Sequence, residues 1–110
     1  QARAAEQAVA KYLERRGYEI LASNFRRRGG EIDLVARQGE RLCFVEVRAR
    51  STADFGRPAE TIGRAKRRRI VHAARVYLSR QRAEPIARFD VAEVVGDSIE
   101  YIENAFDLDD

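Results

Sequence analysis

Between Tyr18 and Val47 three strand-like runs follow one another with only turn residues between them. Tyr18–Phe25, Glu31–Arg37 and Arg41–Val47 are short, with Gly29-Gly30 and Gly39 separating them. Glycine supplies the backbone angles that tight turns need. Strands joined this closely pair as antiparallel neighbours, because a parallel pair needs a long crossover. A three-stranded meander is therefore the first constraint on the fold. Leu42-Cys43-Phe44-Val45 is continuously apolar, which predicts a strand covered on both faces.

The flanking segments complete the pattern. Ala5, Ala8, Val9, Tyr12 and Leu13 recur at helical spacing and predict a helix over 3–16, stopped by Gly17. Ser51–Pro58 reads as a loop, and a longer helix is predicted from Ala59 to Arg82, with Pro85 beyond its end. Ile86–Val95 and Ser98–Glu103 read as strands joined by a Gly96-Asp97 turn, and Asp107–Asp110 reads as a frayed end. The order is α-β-β-β-α-β-β. A right-handed crossover through the long helix sets strand four parallel to an earlier strand. The expectation is an α/β fold with a mixed central sheet. A length of 110 residues fits one domain, 1–110, with an acidic C-terminal tail from about residue 104.

Charge narrows the function classes. The chain holds 19 Arg, only 2 Lys and a net charge of +3. That small value conceals an asymmetry: residues 1–88 carry +11, and residues 89–110 carry −8 with no basic residue. A basic body with an acidic end points to a polyanion partner, nucleic acid foremost, or to codon bias with a solvated tail. No apolar run is long enough for a membrane span, and no signal-peptide pattern is present. One Cys and one His exclude a disulfide framework and a zinc cluster, so a reduced cytoplasmic setting is expected. The chain begins at Gln1 and has no Met, which predicts that the native start lies outside it.

Two acidic residues sit where strands should be apolar: Asp33 in Ile32-Asp33-Leu34-Val35 and Glu46 in Phe44-Val45-Glu46-Val47. Strand alternation places Glu31, Asp33 and Val35 on one face of strand two, and Ile32, Leu34 and Ala36 on the other. On strand three Leu42, Phe44, Glu46 and Arg48 share a face. A carboxylate inside an apolar strand is costly unless it is paired or binds a metal. Asp33 and Glu46 on adjacent strands either form a magnesium site, completed by water and substrate phosphate, or pair with arginines across the sheet.

The residues also carry a resemblance. Glu31-Ile32-Asp33-Leu34-Val35 followed by Phe44-Val45-Glu46-Val47-Arg48-Ala49-Arg50 resembles the D…(D/E)-x-K signature of the restriction-endonuclease-like superfamily. Asn24-Phe25-Arg26, Gly30-Glu31-Ile32-Asp33, Phe55-Gly56-Arg57-Pro58, Lys66-Arg67-Arg68-Arg69-Ile70, Arg88-Phe89-Asp90-Val91 and Asn104-Ala105-Phe106 follow in the order of the YraN-like family. Those are small bacterial proteins similar to archaeal Holliday junction resolvases. The resemblance covers nearly the whole chain and implies a restriction-endonuclease-like fold. It implies a metal-dependent endonuclease acting on DNA, branched or junction DNA included, with Mg2+ or Mn2+ as cofactor. Asp33 and Glu46 would be metal ligands, helped by the Val47 carbonyl, and Glu6 would join the catalytic site. Ala5 stands where the family has Gly. A homodimer is expected if a symmetric junction is the substrate.

The larger departure is Arg48, which stands where the superfamily has Lys. Arg stabilises developing negative charge but does not act as a base, because guanidinium keeps its proton. The alternative to an enzyme is therefore a nucleic-acid-binding domain that keeps the fold with weak or no catalysis. Lys66 is the candidate replacement. It lies on a helical stripe with Ile62, Ile70, Ala73 and Tyr77 that faces the sheet, and it either takes a catalytic role or snorkels from the apolar edge.

Arg26, Arg27 and Arg28 in a turn, Arg67 and Arg68 on the long helix, and Arg50 and Ser51 after strand three are candidate nucleic-acid contacts. A solvated charged face is the alternative for the arginines, and turn roles for Ser51. Glu31 is either a further ligand or the polar start of its strand. Asp90 reads as a structural partner for an Arg, and Cys43 as core. The few aromatic residues argue against a base-stacking platform.

Overall fold

A computed structural model describes residues 2–50 and 62–108. Helix α1 spans Ala2–Arg15, and strands β1 (Glu19–Arg27), β2 (Gly30–Gln38) and β3 (Arg41–Arg50) follow. Helix α2 (Arg64–Leu78) leads to β4 (Ile86–Val95) and β5 (Ser98–Phe106). The five strands form one sheet in the order β1-β2-β3-β4-β5. The meander is antiparallel throughout, β4 runs parallel to β3, and β5 returns antiparallel to β4. The mixed α/β sheet expected from the sequence is what the chain forms.

Each helix covers one face. On the α1 side Val9 and Leu13 pack on Leu34, Ala36, Cys43, Val45 and Ala92. On the α2 side Ile70, Val71, Ala73 and Ala74 pack on Ile32, Val35, Leu42, Phe44, Phe89, Val91 and Phe106. Burying a large apolar side chain is worth about 1.5–3 kcal/mol, so these two layers supply the main favourable energy. The α1 end is a Schellman motif. Tyr18 N–H donates to the Leu13 carbonyl (3.0 Å) and Gly17 N–H to that of Glu14 (3.0 Å). Gly17 has φ +88°, the left-handed conformation this motif requires.

Several boundaries differ from the sequence expectation. Helix α2 begins at Arg64, after the extended Gly63 (φ −63°, ψ 156°), so Ile62 precedes the helix instead of lying on its stripe, and it ends at Leu78 rather than Arg82. Ser79 closes it: its N–H bonds the Arg75 carbonyl and its Oγ donates to Val76 (2.7 Å). Arg26 and Arg27 lie in β1, not in the turn, which is only Arg28-Gly29. β3 continues to Arg50 because β4 pairs with it as far as Arg50↔Val95. β5 runs on to Phe106, whose ring stacks on Phe89 with centroids 4.9 Å apart. The predicted loop 51–58 lies outside the described residues.

The most consequential difference is in β2. Simple alternation groups Ile32 with Leu34 and Ala36, but Ile32 and Val35 face α2 whereas Leu34 and Ala36 face α1. The pleat changes phase at Asp33. There the β2–β3 pairing stops at Leu34↔Val45. Val47 N–H then donates to Asp33 Oδ2 at 2.8 Å. Opposite, in β1, Asn24 has φ +53°. The strands separate at this end of the sheet, and side chains from both helical layers reach the opening.

Candidate carboxylate centre

Five elements contribute to the opening. Glu6 comes from α1, Asn24 from β1, Glu31 and Asp33 from β2, Glu46 from β3 and Lys66 from α2. Gly30 fixes the approach of α2. A Cβ there would stand 2.4 Å from the Arg69 carbonyl oxygen and 2.9 Å from the Ala73 nitrogen. Only Gly lets strand and helix backbones come this close. One turn earlier on α2, the Lys66 ammonium lies 3.6 Å from Glu31 Oε2 and 3.7 Å from Glu46 Oε2.

Asp33 and Glu46 stand side against side. Glu46 is 9% exposed. Burial, then the neighbouring Asp33 charge, pushes its carboxyl up to about 7, and a hydrogen bond with Asp33 adds to the rise while Lys66 opposes it. Glu6 is raised as well, first by burial and then by Asp33. Asn24 Nδ2 donates to Glu6 Oε1 at 2.9 Å, which fixes the direction in which that carboxylate points. Buried carboxyl groups held beside a like charge are short of positive charge. They hold either a shared proton or a cation. Among the described residues no three His, Cys, Asp or Glu side chains form a metal cage. The donor set is a pair, which suits an ion that completes its shell with water and substrate oxygens.

Glu31 is different. Arg69 Nη2 donates to it at 3.0 Å and Arg26 Nη1 lies 3.8 Å away. The Arg69 hydrogen bond, with Lys66 and Arg26, holds its carboxyl below the usual range.

The remaining sequence candidates lie outside this cluster. Arg48 Nη1 is 3.7 Å from Glu93 Oε2, and Arg50 bonds the other oxygen of Glu93. Glu93 itself is fully buried. Sequence reasoning did not single it out, although Val91-Ala92-Glu93-Val94-Val95 shows the same acid-in-apolar-strand pattern as Glu46. Arg27 stacks over Phe25, 4.2 Å to the ring centroid. Arg28 and Arg68 are exposed and Arg67 is half-buried. Ser51 lies outside the described residues. Asn24 was legible only as part of a motif block; its role as a hydrogen-bond donor to Glu6 depends on the left-handed backbone at that residue.

The model of the uncharacterised protein family UPF0102 matches residues 5–94. The chain belongs to that family. A UPF0102 protein of Dechloromonas aromatica is 48% identical over 108 residues, covering 98% of this chain and 89% of the relative. One of Janthinobacterium sp. is 42% identical over 104 residues, covering 94% and 85%. One of Symbiobacterium thermophilum is 49% identical over 92 residues, covering 83% and 78%. The UPF0102 match contains every residue of the carboxylate centre, from Glu6 to Lys66. It confirms the family to which the sequence blocks point and assigns no activity. Among the described residues no helix is long and apolar enough to cross a membrane.

Proposed function

We propose that this UPF0102 protein is a divalent-metal-dependent endonuclease that hydrolyses phosphodiester bonds in DNA, branched or junction DNA included. The observation that carries the reading is the mutual arrangement of Asp33, Glu46 and Lys66: two carboxylates in hydrogen-bonding reach, with an ammonium 3.7 Å from one of them. Asp33 and Glu46 would hold Mg2+ or Mn2+. When bound, such an ion polarises a phosphoryl oxygen and favours ionisation of an attacking water. Asp33 is held for this by the Val47 N–H, which donates to Oδ2 at 2.8 Å.

Lys66 supplies a cation at the pair. Its ammonium donates toward a phosphate oxygen or the incoming water and stabilises the charge that builds on phosphorus. Glu6, oriented by Asn24, accepts a hydrogen bond from water entering from the α1 side. The exposed arginines of α2 and of the β1 end flank the centre and suit phosphate contacts.

A second reading, a DNA-binding domain with little cleavage, is favoured by one observation. Arg48, at the position where the superfamily has Lys, is engaged by Glu93. Two such sites in a homodimer would suit a symmetric junction. The test is a panel of branched, nicked and linear DNAs with Mg2+ or Mn2+. The nuclease reading expects cleavage that Asp33→Asn abolishes and Lys66→Ala reduces of the order of a hundredfold, with binding kept. Metal-independent binding without any Asp33-dependent product supports the second reading.

A further inference from the structure

Resting on the reading of Asp33 and Glu46 as a cation site, we propose that Glu31 is a positioning residue. Its carboxylate keeps the Lys66 ammonium at the centre when the charge of Glu46 is engaged elsewhere.

Among the described residues Lys66 has two carboxylate neighbours at almost equal distance, Glu31 Oε2 at 3.6 Å and Glu46 Oε2 at 3.7 Å. They are not equivalent. Glu46 belongs to the pair that would bind the metal, so its charge is neutralised in the working state and stops attracting Lys66. An ammonium left with no other partner would be repelled from the centre. Among the described residues Glu31 is the partner that remains.

The geometry suits Glu31 to that task. Its two oxygens are divided. Oε1 takes Arg69 Nη2 at 3.0 Å and lies 3.8 Å from Arg26 Nη1, while Oε2 faces Lys66. Arg69 from α2 and Arg26 from β1 both approach Oε1, leaving Oε2 for the lysine. Lys66 and Arg69 are three apart on α2 and therefore share a helix face. Behind them Gly30, immediately before Glu31, abuts the α2 backbone at Arg69 and Ala73. Glu31 thus follows directly on backbone packed against α2, the helix that carries Lys66.

The chain has only two lysines, Lys11 and Lys66, so the ammonium can be watched directly. Reductive methylation with 13C-formaldehyde gives each lysine its own dimethyl resonance, with exposed Lys11 on α1 as internal reference. Glu46→Gln imitates a neutralised Glu46 without needing any metal. The Lys66 signal is expected to stay distinct from Lys11 in wild type and in Glu46→Gln. It is expected to move to a free-lysine position in the Glu31→Gln, Glu46→Gln double variant. Release in Glu46→Gln alone, or retention in the double variant, would overturn the proposal.

The second arm is kinetic. With Mg2+ and a substrate the wild type cuts, Glu31→Gln is expected to lower kcat of the order of tenfold to a hundredfold. DNA affinity should hold or tighten, because a negative charge beside Arg26 and Arg69 is removed. Glu31→Asp, which keeps the charge, is expected to recover part of the rate. An unchanged kcat, or a loss confined to KM, contradicts the positioning role. If wild type cuts nothing, the nuclease reading fails and the resonance experiment still decides the role of Glu31.

Discussion

Asp33 on β2 and Asp90 on β4 each accept a backbone N–H from a neighbouring strand, Val47 at 2.8 Å and Asn104 at 2.9 Å. Each interrupts strand pairing where it does so. Their remaining neighbours are opposite in kind. Asp90 is fully buried, bonded by Arg88 Nε at 2.9 Å and Nη2 at 3.0 Å and by the Tyr101 hydroxyl. Arg88 is in turn tied to the Tyr18 hydroxyl at 2.7 Å. Asp33 faces the carboxyl groups of Glu46 and Glu6, which burial and then the Asp33 charge drive upward in pKa. The same strand device thus serves two ends. Where the fold needs a buried acid for structure it surrounds the acid with donors. Where acid meets acid, the carboxyl groups compete for the little positive charge nearby, and that contrast underlies the functional reading.

The contrast is broken most severely on the structural side. Asp90→Ala leaves the Arg88 guanidinium buried without its main partner and is expected to cost about 3–5 kcal/mol in chemical denaturation. A cost below about 1 kcal/mol would show that the network is dispensable.

The next effect is one of pH. Burial and the Asp33 charge raise Glu46 to about 7 from the ordinary glutamate value of 4.5, so between these values the folded protein binds more protons than the unfolded chain. Its stabilising contribution is complete below about pH 4.5 and is lost as pH rises through 7. The slope is at most about 1.4 kcal/mol per pH unit, or of the order of 3 kcal/mol across the window in metal-free protein. Denaturation midpoints of wild type and Glu46→Gln measure it, since the variant should lack this slope. A wild-type stability that climbs with pH more steeply than the variant would contradict the carboxylate pairing.

Gly30→Ala places a methyl against the Arg69 carbonyl, and overpacking of that kind costs about 1–3 kcal/mol. The midpoint should fall, and on the nuclease reading DNA cleavage should fall further than stability alone explains, because Lys66 rides on the displaced helix. The smallest effect is expected for Asp33→Asn. The amide oxygen still accepts the Val47 N–H and the repulsion with Glu46 disappears, so stability changes by less than about 1 kcal/mol or rises. A loss as large as that of Asp90→Ala would mean that Asp33 is structural as well.

Much of this was legible in the sequence because it depended on local chemistry. Turn glycines and short apolar runs gave the meander, and the position of one long helix between strands gave the parallel β3–β4 pair. Embedded acids gave Asp33 and Glu46, and helical spacing placed Lys66 on the inward face of α2 with Ile70 and Ala73. The phase change at Asp33 was not legible. Alternation assumes a regular pleat, and the side-chain capture of the Val47 N–H with the left-handed Asn24 breaks it. Glu93 was missed for a related reason: the partner that engages Arg48 comes from a strand paired only through the crossover. The ring of cations around Glu31 likewise required α2 to dock on Gly30.

Calorimetric titration of the apo protein with Mn2+, comparing wild type with Asp33→Asn, tests the central claim that the Asp33–Glu46 pair is a cation site. The account predicts one ion bound per chain in wild type and loss of that binding in Asp33→Asn, with the fold intact by circular dichroism. Equal binding by both proteins, or none by either at millimolar Mn2+, would contradict it.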